Sequence, residues 1–233
     1  SSMSDIYTPM AAHFDAAGDM AGLRKVLMHG TRACALVLFP ICAMLIILGK
    51  PIIALWMGPR YVPVSYPILV ILALGSALYT LQGPSFRILY GMARHGWMAV
   101  IRLSEGAAVL LFSILLVRRF GIEGVALGTA IPLACSSLFF YPLHLCRLLK
   151  TPVAQYFTRA YLLPLGLCTP MVIALVLLRR LFPGASYFAI SVQIAGGGLV
   201  YGVAFGWFFF TQEPFGIQLR NRTTQFLRQA SAR

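Results

Sequence analysis

Arg102 and Glu105 stand three residues apart in the run GWMAVIRLSEGAAVLLFSILLVRR, where almost everything around them is apolar. A carboxylate in such a setting can take up a proton or a cation, and a guanidinium can hold an anion such as phosphate. A helix needs about 20 residues to cross a bilayer core. Starting this one after Glu105 leaves only Gly106 to Val117, which is too short, so both charges lie inside the helix. Counted from Trp97, Arg102 sits about 7 Å in and Glu105 about 12 Å. Arg102 can reach back to the interface, whereas Glu105 cannot easily do so. Their spacing also allows them to pair on one helix face, which lowers the cost of burying either. Glu105 thus has two readings, a functional acid coupled to an ion or substrate and a structural partner of Arg102 or of a neighbouring helix. Arg87 and Arg94, in GPSFRILYGMARHG just before this helix, complete a set of three arginines at one mouth of the membrane region. They read either as an anion-binding lining or as ordinary topology anchors.

Other chemistry finds little material. Of six acidic residues, Asp5, Asp15 and Asp19 precede the first long apolar run, and Glu123 and Glu213 fall in loops. No HExxH, GxSxG or Gly-rich phosphate loop is present, so no catalytic residue, metal ligand or cofactor site is expected. His13, His29, His95 and His144 are scattered. The five cysteines are odd in number, show no ligand spacing and lie in or beside apolar runs, as reduced packing residues do. Asn221-Arg222-Thr223 matches a glycosylation sequon, but its expected cytoplasmic side argues against use. The segment Thr211–Arg233 reads as a basic, solvated tail able to touch anionic lipid.

The elements that must position these residues are membrane helices. Of 233 residues, 59% are hydrophobic and only 11% charged, and the mean hydropathy is +0.82. Such a balance does not suit a soluble domain. The net charge of +13 would suggest nucleic acid in a soluble chain, but here the basic residues sit singly or in pairs between apolar runs, so no nucleic-acid partner is expected. The predicted class is all-α, a polytopic bundle of about six spans: Ala33–Gly49, Val64–Gln82, Trp97–Val117, Gly124–Cys146, Ala160–Leu178 and Ala185–Phe210. The first span has the option of running on through Lys50 and Pro51 to Met57. Alternate loops divide the nineteen Lys and Arg residues thirteen to six, and the richer side is the expected cytoplasmic one. Both chain ends then face the cytoplasm.

Before the first span, Leu23, Val26 and Leu27 make one apolar stripe, as in a helix lying at the interface. The expected organisation is therefore the end of a preceding helix and a linker over 1–32, core spans over 33–147, two further spans over 148–210 and the tail over 211–233. The opening SSMSDIYTPM has no Met at position 1, and the chain is expected to be the C-terminal part of a longer protein. Pro40, Pro132, Pro142, Pro164 and Pro170 fall within spans and predict kinks. Gly124 with Gly128, and Gly198 with Gly202 and Gly206, repeat every fourth residue and predict close helix approach. In IIALWMGPRYVPVSYP, Gly58 and Pro59 end one helix, and Trp56, Arg60 and Tyr61 suit an interfacial turn.

Several phrases, in order, resemble one family. TPMAAHFDAAGDMAGLRKVLMHGTR is similar to the linker entering the second half of O-antigen-type polysaccharide flippases of the multidrug/oligosaccharidyl-lipid/polysaccharide exporter superfamily. IIALWMGPRYVPVSYPILVILALG, GPSFRILYGMARHGWMAVIRLSEGA and FGIEGVALGTAI resemble that family's next joints and helix entries, so the likeness covers about Thr8 to Pro142. The resemblance implies two lobes around a central cavity, twelve to fourteen helices in all. It also implies transfer of an undecaprenyl-pyrophosphate-linked oligosaccharide from the inner to the outer leaflet of the bacterial cytoplasmic membrane. The partners would be that lipid-linked oligosaccharide, membrane lipids and an N-terminal lobe of the same chain. Arg87, Arg94 and Arg102 would be the candidate substrate-binding residues, and Glu105 the acid available to a coupling ion. A multidrug exporter of the same superfamily and an integral-membrane enzyme of glycan assembly are the rival expectations.

Overall fold

In the computed structural model, residues 7–93, 96–184 and 186–212 are described, and every regular element among them is helical. Helix α1 (Tyr7–Ala16) is followed by α2 (Met20–Trp56), which starts where the Asp19 side chain accepts a 2.9 Å hydrogen bond from the Gly22 amide. At 37 residues, α2 joins two segments that the sequence separates, and it runs through Lys50 and Pro51. The stripe expected to lie on the membrane interface packs inward instead. Leu23 and Leu27 are buried in one core with Ile88, Leu89, Leu145 and Leu149. The stripe is thus covered by protein, because the short helices at 83–91 and 141–148 turn back under it.

The joint after Trp56 is as tight as its residues demand. Gly58 takes φ 101°, a value that glycine adopts without steric cost, and Pro59–Tyr61 forms a single 3-10 turn into α3 (Val62–Thr80). Trp56 is 82% exposed, and the Arg60 guanidinium lies 4.7 Å from the Tyr61 ring centroid. After α3 come the short α4 (Gly83–Gly91) and then α5 (Gly96–Cys135).

Helix α5 continues through a π-helical turn, Ser136–Phe140, into α6 (Tyr141–Leu148), a stretch of 53 residues. Laid straight, it would be about 80 Å long, against a hydrocarbon core of about 30 Å. It does not run straight. Gly121 has φ 56° and ψ −135°, and the chain reverses there. A Cβ on Gly124 would lie 2.2 Å from the Leu116 carbonyl oxygen, and one on Gly128 would lie 2.5 Å from the Ser113 Cα. Farther along, the rings of Trp97 and His144 are 5.9 Å apart. Residues 96–120 and 122–148 are therefore two antiparallel limbs, so the five long apolar stretches make six rods among the described residues.

Helix α7 (Val153–Phe157), a second π-helical turn (Thr158–Leu162) and α8 (Leu163–Leu181) form the fifth rod, and α9 (Tyr187–Gln212) the sixth. The two π-helical turns stand directly before Pro142 and Pro164. A proline offers no N–H to the carbonyl four residues back and crowds it, and widening the preceding turn accommodates both effects. The last two rods pack through Gly196 and Gly197, whose Cβ positions would fall 2.7 and 2.6 Å from Leu178 and Leu175 side-chain atoms. The Gly202 and Gly206 positions of the expected stripe have no atom within 4 Å, so the close approach is made one turn earlier.

The Gly124/Gly128 seam is testable by substitution. Replacing Gly128 by Leu should cost roughly 1–3 kcal/mol of stability, because the obstructing atoms are backbone and cannot swing away. Gly202→Leu should leave the melting temperature in detergent unchanged. Equal melting of the two variants would count against the hairpin.

Candidate functional site

Two groups of side chains gather where chemistry is possible. The first surrounds Glu105. It lies on the first limb of the hairpin, is 8% exposed, and accepts a 3.4 Å hydrogen bond from the Tyr141 hydroxyl at the start of α6. The Tyr141 ring stands edge-on to Phe86 at 4.6 Å. The Arg102 guanidinium lies over Phe86 at 4.4 Å and over Tyr79 at 4.7 Å. Arg102 and Glu105 therefore do not meet in a direct ion pair among the described residues. The cation is held by ring faces, which attract it electrostatically, and the acid by a phenol. Tyr141 lies within electrostatic reach of both.

Glu105 also lines a cavity of about 370 Å³ between the limbs, with Trp97, Ser104 and Phe112 on one wall and Cys135, Ser136 and Phe140 on the other. One carboxylate in a recess whose other lining residues are all uncharged suits a proton or a cation. The Ser136–Phe140 turn shapes that wall. Its Ser137 carbonyl accepts a 2.8 Å bond from the Gln82 amide, whose nitrogen is 3.4 Å from the Tyr161 hydroxyl. The Gln82 carbonyl accepts from Ser85 at 3.0 Å.

The second group lies between α2 and the α7–α8 rod. Lys25, His29 and Arg32 succeed one another at i, i+4 and i+7, so they share a helix face. With Arg159, Thr158, Met28, Leu162 and Leu163 they line a cavity of about 530 Å³. Arg32 is further fixed over the Phe208 ring at 5.1 Å. The two rods run parallel, since Thr31 meets Tyr156 at 3.3 Å and, farther along, Arg179 donates to the Ile47 carbonyl. Between those ends the seam widens into an apolar recess of about 340 Å³, lined by residues that include Phe39, Cys42, Ile46, Leu165, Cys168 and Val172.

Among the arginines singled out in the sequence, Arg102 belongs to the Glu105 group and Arg87 sits half-buried on α4. Arg94 lies outside the described residues, as does the sequence beyond Gln212. The basic residues that line the larger of these cavities, Lys25, Arg32 and Arg159, appear in the sequence only as topology anchors. The 25/29/32 spacing signals a common face. That Arg159 joins it depends on two rods separated by more than a hundred residues coming together.

The fold and these sites define a multi-pass helical membrane protein. Over 148 residues the chain is 26% identical to the uncharacterized membrane protein EpsK of Bacillus subtilis (strain 168), covering 63% of this chain and 29% of that protein. The chain thus spans less than a third of that relative's length in the match. No family model matches the chain, and no solved structure matches it.

A double-mutant cycle tests the separation of the two membrane charges. Arg102→Leu and Glu105→Leu should show a coupling below about 1 kcal/mol in detergent melting. A coupling of roughly 3 kcal/mol, the size expected for a broken buried pair, would mean that the charges pair directly.

Proposed function

We propose that the protein is part of a flippase that moves an undecaprenyl-pyrophosphate-linked oligosaccharide from the inner to the outer leaflet of a bacterial cytoplasmic membrane, for cell-surface polysaccharide biosynthesis. The observation that carries this reading is the seam between α2 and the α7–α8 rod. A basic cavity of about 530 Å³ is followed along the same two rods by a separate apolar recess of about 340 Å³. A pyrophosphate requires cations, and a polyprenyl tail requires hydrocarbon-like walls. The seam offers both in succession. The Lys25/Arg32/Arg159 end is the cytoplasmic one in this reading, in line with the excess of basic residues on that side. The named relative is a membrane protein, which agrees with this assignment without specifying cargo.

A second reading, export of a cationic drug, has its own support in the recess around Glu105, where one carboxylate faces Trp97, Phe112 and Phe140. The two readings separate experimentally. In full-length protein reconstituted into vesicles, Lys25→Gln with Arg159→Gln should slow glycan-lipid translocation by about thirtyfold, taking about 1 kcal/mol for each lost cation. Glu105→Gln should reduce translocation while leaving membrane insertion intact, as expected of an acid that couples an ion. Efflux of a cationic dye that depends on Glu105 but not on the two basic residues, without glycan-lipid movement, would establish the exporter instead.

A further inference from the structure

At the other end of the same seam lies a third cavity, which the flippase reading does not use. It measures about 210 Å³ and is lined by residues that include Lys50 and Ala54 of α2, Arg179 of α8, Phe182 and Pro183 of the following loop, and Gln193 of α9. Lys50 is 18 positions beyond Arg32, which places it about 27 Å along the helix, close to the thickness of a hydrocarbon core. Exposed Trp56, Leu181, Tyr187 and Phe188 surround this level as an interfacial belt does.

Three features of the cavity are specific. Two cations from different helices converge on it, and neither forms an ion pair among the described residues. Each is held in place: Arg179 donates one N–H to the Ile47 carbonyl, leaving others for a ligand, and the Lys50 ammonium lies 4.9 Å from the Tyr66 ring centroid. The third feature is Gln193, which is 2% exposed. Its Nε2 donates to the Phe182 carbonyl at 2.9 Å, which fixes the amide orientation, and its Oε1 has no hydrogen-bond partner among the described residues. A buried amide oxygen without a donor is costly. The cavity therefore suits a ligand that carries negative charge for Lys50 and Arg179, and Gln193 Oε1, buried at its wall, is short of one hydrogen-bond donor.

We propose that this cavity holds the headgroup of an anionic, hydroxyl-bearing phospholipid of the phosphatidylglycerol class. Its phosphodiester lies between Lys50 and Arg179, and a glycerol hydroxyl donates to Gln193 Oε1. The size of the cavity suits a phosphodiester with a short hydroxylated arm rather than an oligosaccharide, and its depth suits a lipid. The site binds membrane lipid whatever the protein transports.

The test uses the full-length protein in mild detergent, with lipid binding followed by native mass spectrometry and thermal shift. Phosphatidylglycerol should bind and raise the melting temperature, phosphatidylcholine should not, and phosphatidylmethanol, with the same charge but no hydroxyl, should bind more weakly. Lys50→Gln, at an exposed position, should weaken phosphatidylglycerol binding about fivefold, the effect of one interfacial cation. Gln193→Leu should abolish the preference for phosphatidylglycerol over phosphatidylmethanol, and melting without lipid should show that the variant remains folded. If it does not, Gln193→Glu, which repels the phosphate while keeping the side-chain length, should weaken both anionic lipids. Equal binding of phosphatidylcholine, or an unaltered Lys50→Gln protein, would overturn the proposal. Displacement of the lipid by millimolar inorganic phosphate would overturn it in favour of a free-anion site.

Discussion

The bond from the Gln82 amide to the Ser137 carbonyl, 2.8 Å long, governs how the bundle closes. In hydrocarbon no water is at hand for a backbone carbonyl, so a helix opened by proline must find a donor within the protein. Pro142 opens its helix into a π-helical turn, and Gln82, in the bend between α3 and α4, meets the carbonyl that this turn presents. The same amide nitrogen is 3.4 Å from the hydroxyl of Tyr161, which lies in the other π-helical turn, ahead of Pro164. One side chain thus joins the second pass, the hairpin and the fifth rod. Its own carbonyl is satisfied by Ser85, so the group carries no unpaired atom of its own.

That closure positions both candidate groups. Ser136 opens the first π-helical turn and Tyr141 follows it, and they border Glu105 and its cavity. Thr158 and Arg159 belong to the second, and they form one wall of the basic cavity against α2. The distribution along the seam obeys the cost of charge in a membrane. Basic side chains stand at its two ends, where their stems can reach the interface, and the stretch between them is apolar.

Much of this architecture is legible in the residues, and the exceptions have physical causes. Six passes, the tight turn at Gly58 and the close seam at Gly124 and Gly128 arise from run length, turn chemistry and small-residue spacing. The prolines announce distortion, but not its form, because a kink and a π-helical turn differ in which carbonyls a neighbouring helix can satisfy. Periodicity identifies the Leu23/Val26/Leu27 stripe, and lipid and protein cover such a stripe equally well until the position of α4 is known. The Gly198/Gly202/Gly206 stripe fails for a related reason: rotation of α9 about its axis is set by where Leu175 and Leu178 project from α8. The basic cavity stays hidden because it joins Lys25 to Arg159, residues brought together only by the whole topology.

The separation of Arg102 from Glu105 bears on what the acid can do. An i,i+3 ion pair would lower the cost of burial, but it would also fix the charge state, since protonating the acid would strand the guanidinium. In the observed arrangement Arg102 rests on the faces of Phe86 and Tyr79, an attraction that does not depend on the protonation of Glu105. Glu105 has a phenolic donor in Tyr141, with the Ser136 hydroxyl also beside it, and a hydroxyl can either donate to a carboxylate or accept from a carboxylic acid. Both forms of the side chain therefore have hydroxyl partners, with the Arg102 charge close enough to act on Glu105 and Tyr141 alike. A buried carboxyl group with hydroxyl partners, at the wall of a cavity among apolar helices, is what the proposed coupling to a proton or cation calls for.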